Sequence, residues 1–221
     1  MTLYLAFDTA TDHPSLALGS PESPGEDVLV ASRRDLSRDI EAATRSLLAR
    51  AQVGLGDLAG VVVADGPGSF TGLRIGIAFA KGLCRASGLP LVAAPSLLGA
   101  ALRACEGRGE SEATVLVEYD ALRGDVYRAV YRFGPAGPAG GGAGARERVD
   151  VLLAPALVRR EAPAPVPEPL VRAGPAEASA GALVRLHRTR GALVPIASPD
   201  AWEPDYGRLA EAEARRRAGS D

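Results

Sequence analysis

The stretch Asp65-Gly66-Pro67-Gly68-Ser69-Phe70-Thr71-Gly72-Leu73-Arg74-Ile75-Gly76 decides how this chain of 221 residues is read. An apolar run, Leu58–Ala64, enters it and reads as a buried strand. Two glycines and a proline turn the chain, and Thr71 caps a helix extending to Ser87, where Gly88 and Pro90 close it. A strand that passes through such a corner into a helix N-terminus has amides able to hold an anion. The spacing is not the G-x-G-x-x-G of a dinucleotide fold. No G-x-x-x-x-G-K-[ST] phosphate loop exists either, because Lys81 is the only lysine and Gly82 follows it. Ser69 has no histidine nearby to serve as its base, so the segment reads as a rigid strand-to-helix corner.

Upstream, Leu3–Asp8, Ser15–Leu18 and Val28–Ser32 read as three antiparallel strands. From Arg38 to Gln52, Ile40, Ala43, Leu47, Leu48 and Ala51 share one helix face. Downstream come a strand at Leu91–Ala94 and a helix at Ser96–Cys105. After Gly107-Arg108-Gly109 the pattern restarts, with a strand Thr114–Tyr119 ending at Asp120, a turn at Arg123-Gly124-Asp125 and a strand Val126–Phe133. Gly134–Ala145 is a Gly/Pro/Ala loop, and the Pro-rich stretch from Leu153 to Pro169 yields no assignment. Leu170–Ala173 reads as a strand, Ala176–Arg188 and Arg208–Arg217 as helices. Two similar segments, each opening on strands that end in aspartate, predict two lobes, residues 1–105 and 106–221.

Composition removes several classes. With 25 Lys and Arg against 27 Asp and Glu, the net charge of −2 gives no basic field to steer the chain onto nucleic acid. Cys84 and Cys105 are too few for a disulfide framework, and His13 and His187 have no partners at ligand spacing, so no metal site is expected. No run approaches 18 apolar residues and the first residues lack a basic leader, so the expectation is a soluble cytoplasmic protein. Arg215-Arg216-Arg217 follows Glu211 and Glu213 and reads as a solvated helix end. Asp8-Thr9-Ala10-Thr11 sits where a strand meets a turn. Its groups either contact phosphate or metal-bound water, or satisfy the turn itself.

The segment Gly66–Gly76 is similar to the signature of the TsaB (YeaZ) family. Leu5-Ala6-Phe7-Asp8-Thr9-Ala10-Thr11 looks like that family's start, and Asp120-Ala121-Leu122-Arg123-Gly124-Asp125-Val126-Tyr127 like its D-A-x-x-G-[ED]-V-Y element. Pro204-Asp205-Tyr206-Gly207-Arg208-Leu209 resembles its closing P-x-Y-x-R. The resemblance implies an α/β, two-lobed actin/Hsp70/sugar-kinase-like (ASKHA) fold with mixed sheets flanked by helices. It also implies a subunit of the bacterial machinery that makes N6-threonylcarbamoyladenosine at position 37 of tRNA. In that role the chain is a non-catalytic scaffold that dimerises with the paralogue TsaD and activates it. The ATPase TsaE and tRNA complete the assembly, no cofactor is implied, and a homodimer in isolation is left open. TsaD carries a metal-binding H-x-x-x-H where this chain reads Pro95-Ser96-Leu97-Leu98-Gly99-Ala100, and neither Ser96 nor Ala100 ligates a metal as imidazole does.

Leu36 stands where the family often has histidine, and Arg172 in Val171-Arg172-Ala173-Gly174 replaces a small residue and disfavours a nucleotide cleft. Asp8, Thr9, Thr11 and Asp120 are then vestigial nucleotide-site candidates. The alternative from another class is a sugar-kinase-like or ATPase enzyme using Asp8 and Asp120 across an interlobe cleft. A protease reading finds no Ser-His-Asp or metal constellation.

The helix Thr71–Ser87 is apolar around most of its circumference, so more than one side of it must be covered. One flank carries Leu73, Ile77, Ala80 and Cys84, the other Ile75, Phe79, Gly82 and Ala86. One flank meets its own sheet. The remaining side is expected to dock the partner, through Phe70, Leu73, Ile75, Gly76, Ile77, Phe79, Ala80 and Leu83, with Ile40 and Leu47 from the preceding helix.

Overall fold

The computed structural model describes residues 2–30, 35–106, 108, 112–121, 123–135, 147–164 and 170–204. Its first sheet runs in the order β10-β5-β4-β1-β2-β3. The strands are β1 (Leu3–Asp8), β2 (Ser15–Gly19), β3 (Val28–Leu29), β4 (Leu58–Ala64), β5 (Leu91–Ala94) and, much later in the chain, β10 (Val194–Ile196). β1, β4 and β5 are parallel, while β2, β3 and β10 pair antiparallel to their neighbours. The second sheet, β8-β7-β6-β9, comprises β6 (Ala113–Asp120), β7 (Asp125–Gly134), β8 (Arg148–Arg159) and β9 (Val171–Ala173), with β6 and β9 parallel. Helices α1 (Leu36–Ala51), α2 (Phe70–Ser87), α3 (Ser96–Cys105) and α4 (Ala180–Arg185) flank the sheets.

The parallel strands read as continuous apolar runs because helices cover them: Val61, Val62, Val63 and Ala64 of β4 are all fully buried. α3 packs on β6 and β9, and α4 on β1 and β2. One hydrophobic cluster therefore joins Leu5 and Phe7 of the first sheet, through Leu97 and Leu183, to Val115, Val117 and Phe133 of the second.

Several elements differ from the sequence reading. α2 begins at Phe70 because Ser69, not Thr71, caps it, its Oγ accepting from Gly72 N at 3.2 Å. The third strand spans two residues only, and Ala31 and Ser32 lie outside the described residues. The helix expected over Ala176–Arg188 is divided into a 3-10 turn at Pro175–Glu177, α4, and a second 3-10 turn at Leu186–Arg188. Ser179 is extended there and caps α4 by accepting from Ala182 N. β8 and β10 have no counterpart in the sequence reading. Most of Gly134–Ala145 and the whole of Arg208–Arg217 lie outside the described residues.

Candidate functional site

The glycine-rich corner is filled by its own chain. Gly66 has φ +114°, a conformation open to glycine, and is bonded twice to Ser96: Gly66 N donates to Ser96 Oγ at 3.1 Å, and Ser96 N to Gly66 O at 3.0 Å. Ser69 N donates to Ala10 O at 2.7 Å. Gly72 and Gly76, four residues apart, share one face of α2, and Gly68 lies in the corner just before it. A Cβ on Gly68 would lie 2.4 Å from Ala10 O, one on Gly72 2.2 Å from Thr9 O, and one on Gly76 2.3 Å from Thr9 Oγ1. The turn after β1 thus presses directly on the start of α2. The opening D-T-A-T and the glycine-rich signature are two halves of one packed joint, and the amides of Gly66, Ser69 and Gly72 are already bonded inside it.

Asp8 lies at the centre of this joint, fully buried. Its Oδ1 accepts from Ala10 N at 3.1 Å, while its Oδ2 and the Thr9 Oγ1 are buried with no hydrogen-bond partner among the described residues. Burial raises its pKa to about 6, and the charge of Asp27 adds to the rise. Thr11 Oγ1 accepts from His13 N at 3.2 Å and so serves the turn. Asp120 is in other surroundings. It is exposed and pairs with Arg160 Nη2 at 2.9 Å. The β6 residue that senses Asp8 is Tyr119, whose hydroxyl is held well above its usual range by burial and then by the Asp8 charge. Alternation along a strand puts 119 and 120 on opposite faces, so the two aspartates of the enzyme alternative are not brought together.

The element around Asp120 is a hairpin. Arg123 and Gly124 both have positive φ, +57° and +83°, the backbone of a primed turn, and Ala121 N donates to Asp125 O at 3.0 Å. Ser96 and Ala100 are both fully buried in α3, where Ser96 is engaged with Gly66. Among the described residues no cluster of three His, Cys, Asp or Glu side chains could hold a metal. Arg172 opens on a cavity of about 290 Å³, lined also by Leu116, Glu118, Arg128 and Arg160. There the buried Arg128 is already bonded to Glu118 Oε1 at 2.6 Å and to the carbonyls of Arg160 and Ala162.

On α2, Leu73, Ile77, Ala80 and Cys84 are buried, as are Gly76 and, on α1, Ile40. Ile75, Phe79, Leu83 and Leu47 are half-buried, Phe79 meeting Phe7 edge-on at 5.5 Å. The open side carries Phe70, Thr71, Arg74, Ala78, Gly82 and Arg85, with the Arg74 guanidinium 5.4 Å from the Phe70 ring centre. A Cβ on Gly82 would meet nothing within 4 Å. Sequence reasoning missed the segment 198–204, which lies along α2: Lys81 and Arg85 both reach it. The lone lysine was the available signal.

Two mixed sheets flanked by helices and sharing one core place the chain in the two-lobed ASKHA class of α/β folds. YeaZ from Pseudomonas aeruginosa superposes with a TM-score of 0.71 over 93% of this chain and 100% of that one, at 24% sequence identity. A protein family described as "TsaD: tRNA N6-adenosine threonylcarbamoyltransferase" matches residues 30–137. The tRNA threonylcarbamoyladenosine biosynthesis protein TsaB of Escherichia coli is 34% identical over 128 residues, 58% of this chain. The match spans about half, 54%, of that relative's length. An uncharacterized protein of Mycobacterium tuberculosis is 34% identical over 212 residues, covering 87% of this chain and 94% of the relative. The chain belongs to the TsaB (YeaZ) family.

Proposed function

We propose that this chain acts in the biosynthesis of N6-threonylcarbamoyladenosine in tRNA as a non-catalytic subunit that docks on a TsaD-type transferase through the open side of α2. The carrying observation is the contrast among its glycines. Gly68, Gly72 and Gly76 are demanded by contacts within the chain, whereas Gly82 faces open space in the middle of a helix. A glycine there weakens the helix by about 1 kcal/mol and gives nothing back internally. Close approach by a second protein supplies the missing reason. The burial of Ser96 and Ala100, and the separate surroundings of Asp8 and Asp120, support a role without chemistry of its own. The family match over residues 30–137 contains both α1 and α2, so a TsaD-type chain carries their counterparts. Two paralogues can then pack these helices about a pseudo-two-fold axis.

Reconstitution tests this. The cognate TsaD, TsaE, tRNA and threonylcarbamoyl-adenylate are combined with and without the chain, and modified adenosine is measured. Modification should depend on the chain, fail with the chain alone, and be lost with Ala78→Arg, which fills the floor of the open side without touching the core. Modification of tRNA by this chain in the absence of any paralogue would overturn the proposal.

A further inference from the structure

Lys81 is the one lysine of the chain, and nothing in the docking role so far uses it. Its ammonium donates to the Trp202 carbonyl at 2.5 Å and sits 5.4 Å from the centre of the indole. One turn further along α2, Arg85 Nη1 meets both carboxylate oxygens of Asp200 at 3.2 Å. The segment folds back on itself, Trp202 N donating to Ser198 O at 3.0 Å, and Pro204 is buried behind it. Residues 198–204 therefore line one edge of the open side of α2. Trp202, the only tryptophan, packs against the core and is partly buried.

These contacts are unequal. The Arg85–Asp200 pair is exposed and adds little. Lys81 binds the carbonyl and the ring of one residue together, which fixes the orientation of the indole. We infer that segment 198–204 is the second wall of the docking face, with Trp202 an anchor for the TsaD-type partner and Lys81 the residue that positions it. The inference rests on the docking role proposed above. Ala78 and Gly82 are exposed beside this wall, and a partner helix seated on them covers what remains exposed of Trp202. Tryptophan is among the residue types on which binding energy concentrates.

The full chain is titrated with cognate TsaD while tryptophan emission is followed, and the complex of Trp202→Phe serves as the blank for the partner's own fluorescence. A blue shift assigned to Trp202 is expected. Trp202→Ala should weaken binding about ten-fold or more. Lys81→Met should weaken it less, and Lys81→Arg should restore it, because arginine keeps both the donor and the cation. Thermal melts of each variant check that the fold persists. If Ala78→Arg abolishes binding but Trp202→Ala does not change it, the wall is not part of the interface and the docking role stands. If Ala78→Arg has no effect, the docking role itself falls. Emission of the wild-type chain unchanged on binding, or tighter binding by Lys81→Met, would each overturn the inference.

Discussion

Asp8 ends a strand and opens a turn, and that much is written in its neighbours. Its burial is not, because what surrounds it comes from elsewhere in the chain, the charge of Asp27 included. The consequence is a pH dependence whose sign follows from the raised value. The carboxyl titrates at about 6 in the folded protein against 3.8 in an open chain. Between those values the folded chain keeps a proton that the unfolded chain has released, so stability falls as pH rises from about 4 to about 6 and stays lower above. The loss is on the order of 3 kcal/mol. Asp8→Asn removes the titration and supplies an N–H₂ donor to the buried site. Urea midpoints should show this variant more stable than the native chain at pH 7.5, with the difference vanishing below pH 4. An asparagine variant less stable at pH 7.5 would mean that the carboxylate is held by a partner after all. Ser69 teaches a related lesson. Two hydroxyls two residues apart, Ser69 and Thr71, both suit a cap, and the contact of Ser69 N with Ala10 O selects the first.

At the scale of elements, what was legible is what has one period and one buried face. β4, α1 and α3 show it, and so does the glycine-rich helix, whose existence was plain although the orientation of its flanks was not. β8 was illegible because neither face is buried: its twelve residues are exposed or half-exposed along the whole strand, so no alternation marks it. The pairing of β8 with β7 shifts register near Val130, and Pro155 lies in the irregular stretch between Leu153 and Ala156. Bulge and proline together blunt an edge that would otherwise invite strand pairing. β10 is three residues long and takes its place only by pairing with β5. α2 gives the prediction at this scale. Gly82→Ala should stabilise the chain by about 0.5–1 kcal/mol, since a methyl there meets nothing and the helix gains propensity. Gly72→Ala should cost about 1–3 kcal/mol or more, because its methyl would lie 2.2 Å from a backbone oxygen that cannot swing aside. Thermal melts of the two variants should move in opposite directions. Equal shifts would remove the distinction on which the docking face rests.

The whole molecule is held across its length by contacts that no local pattern announces. The loop after β2 carries Asp27 to the start of α4, where its carboxylate accepts from Ser179 Oγ at 2.6 Å and from Gly181 N at 2.9 Å. Ser15 Oγ accepts from Ala180 N at 3.0 Å beside it. These bonds satisfy amides that a short helix cannot satisfy itself, and they tie the second strand to a segment more than 150 residues away. α3 and α4 then complete a hydrophobic cluster shared by both sheets. A shared core predicts a single cooperative transition. Asp27→Ala leaves the Gly181 amide and the Ser179 hydroxyl without their charged acceptor, at a cost of about 1.5–3 kcal/mol. Trp202 emission follows the α2 side of the first sheet, and far-ultraviolet circular dichroism follows both sheets. In urea, Asp27→Ala should lower both midpoints together and by the same amount. Midpoints that separate would show that the carboxylate of Asp27, rather than the common core, is what makes the two sheets unfold as one.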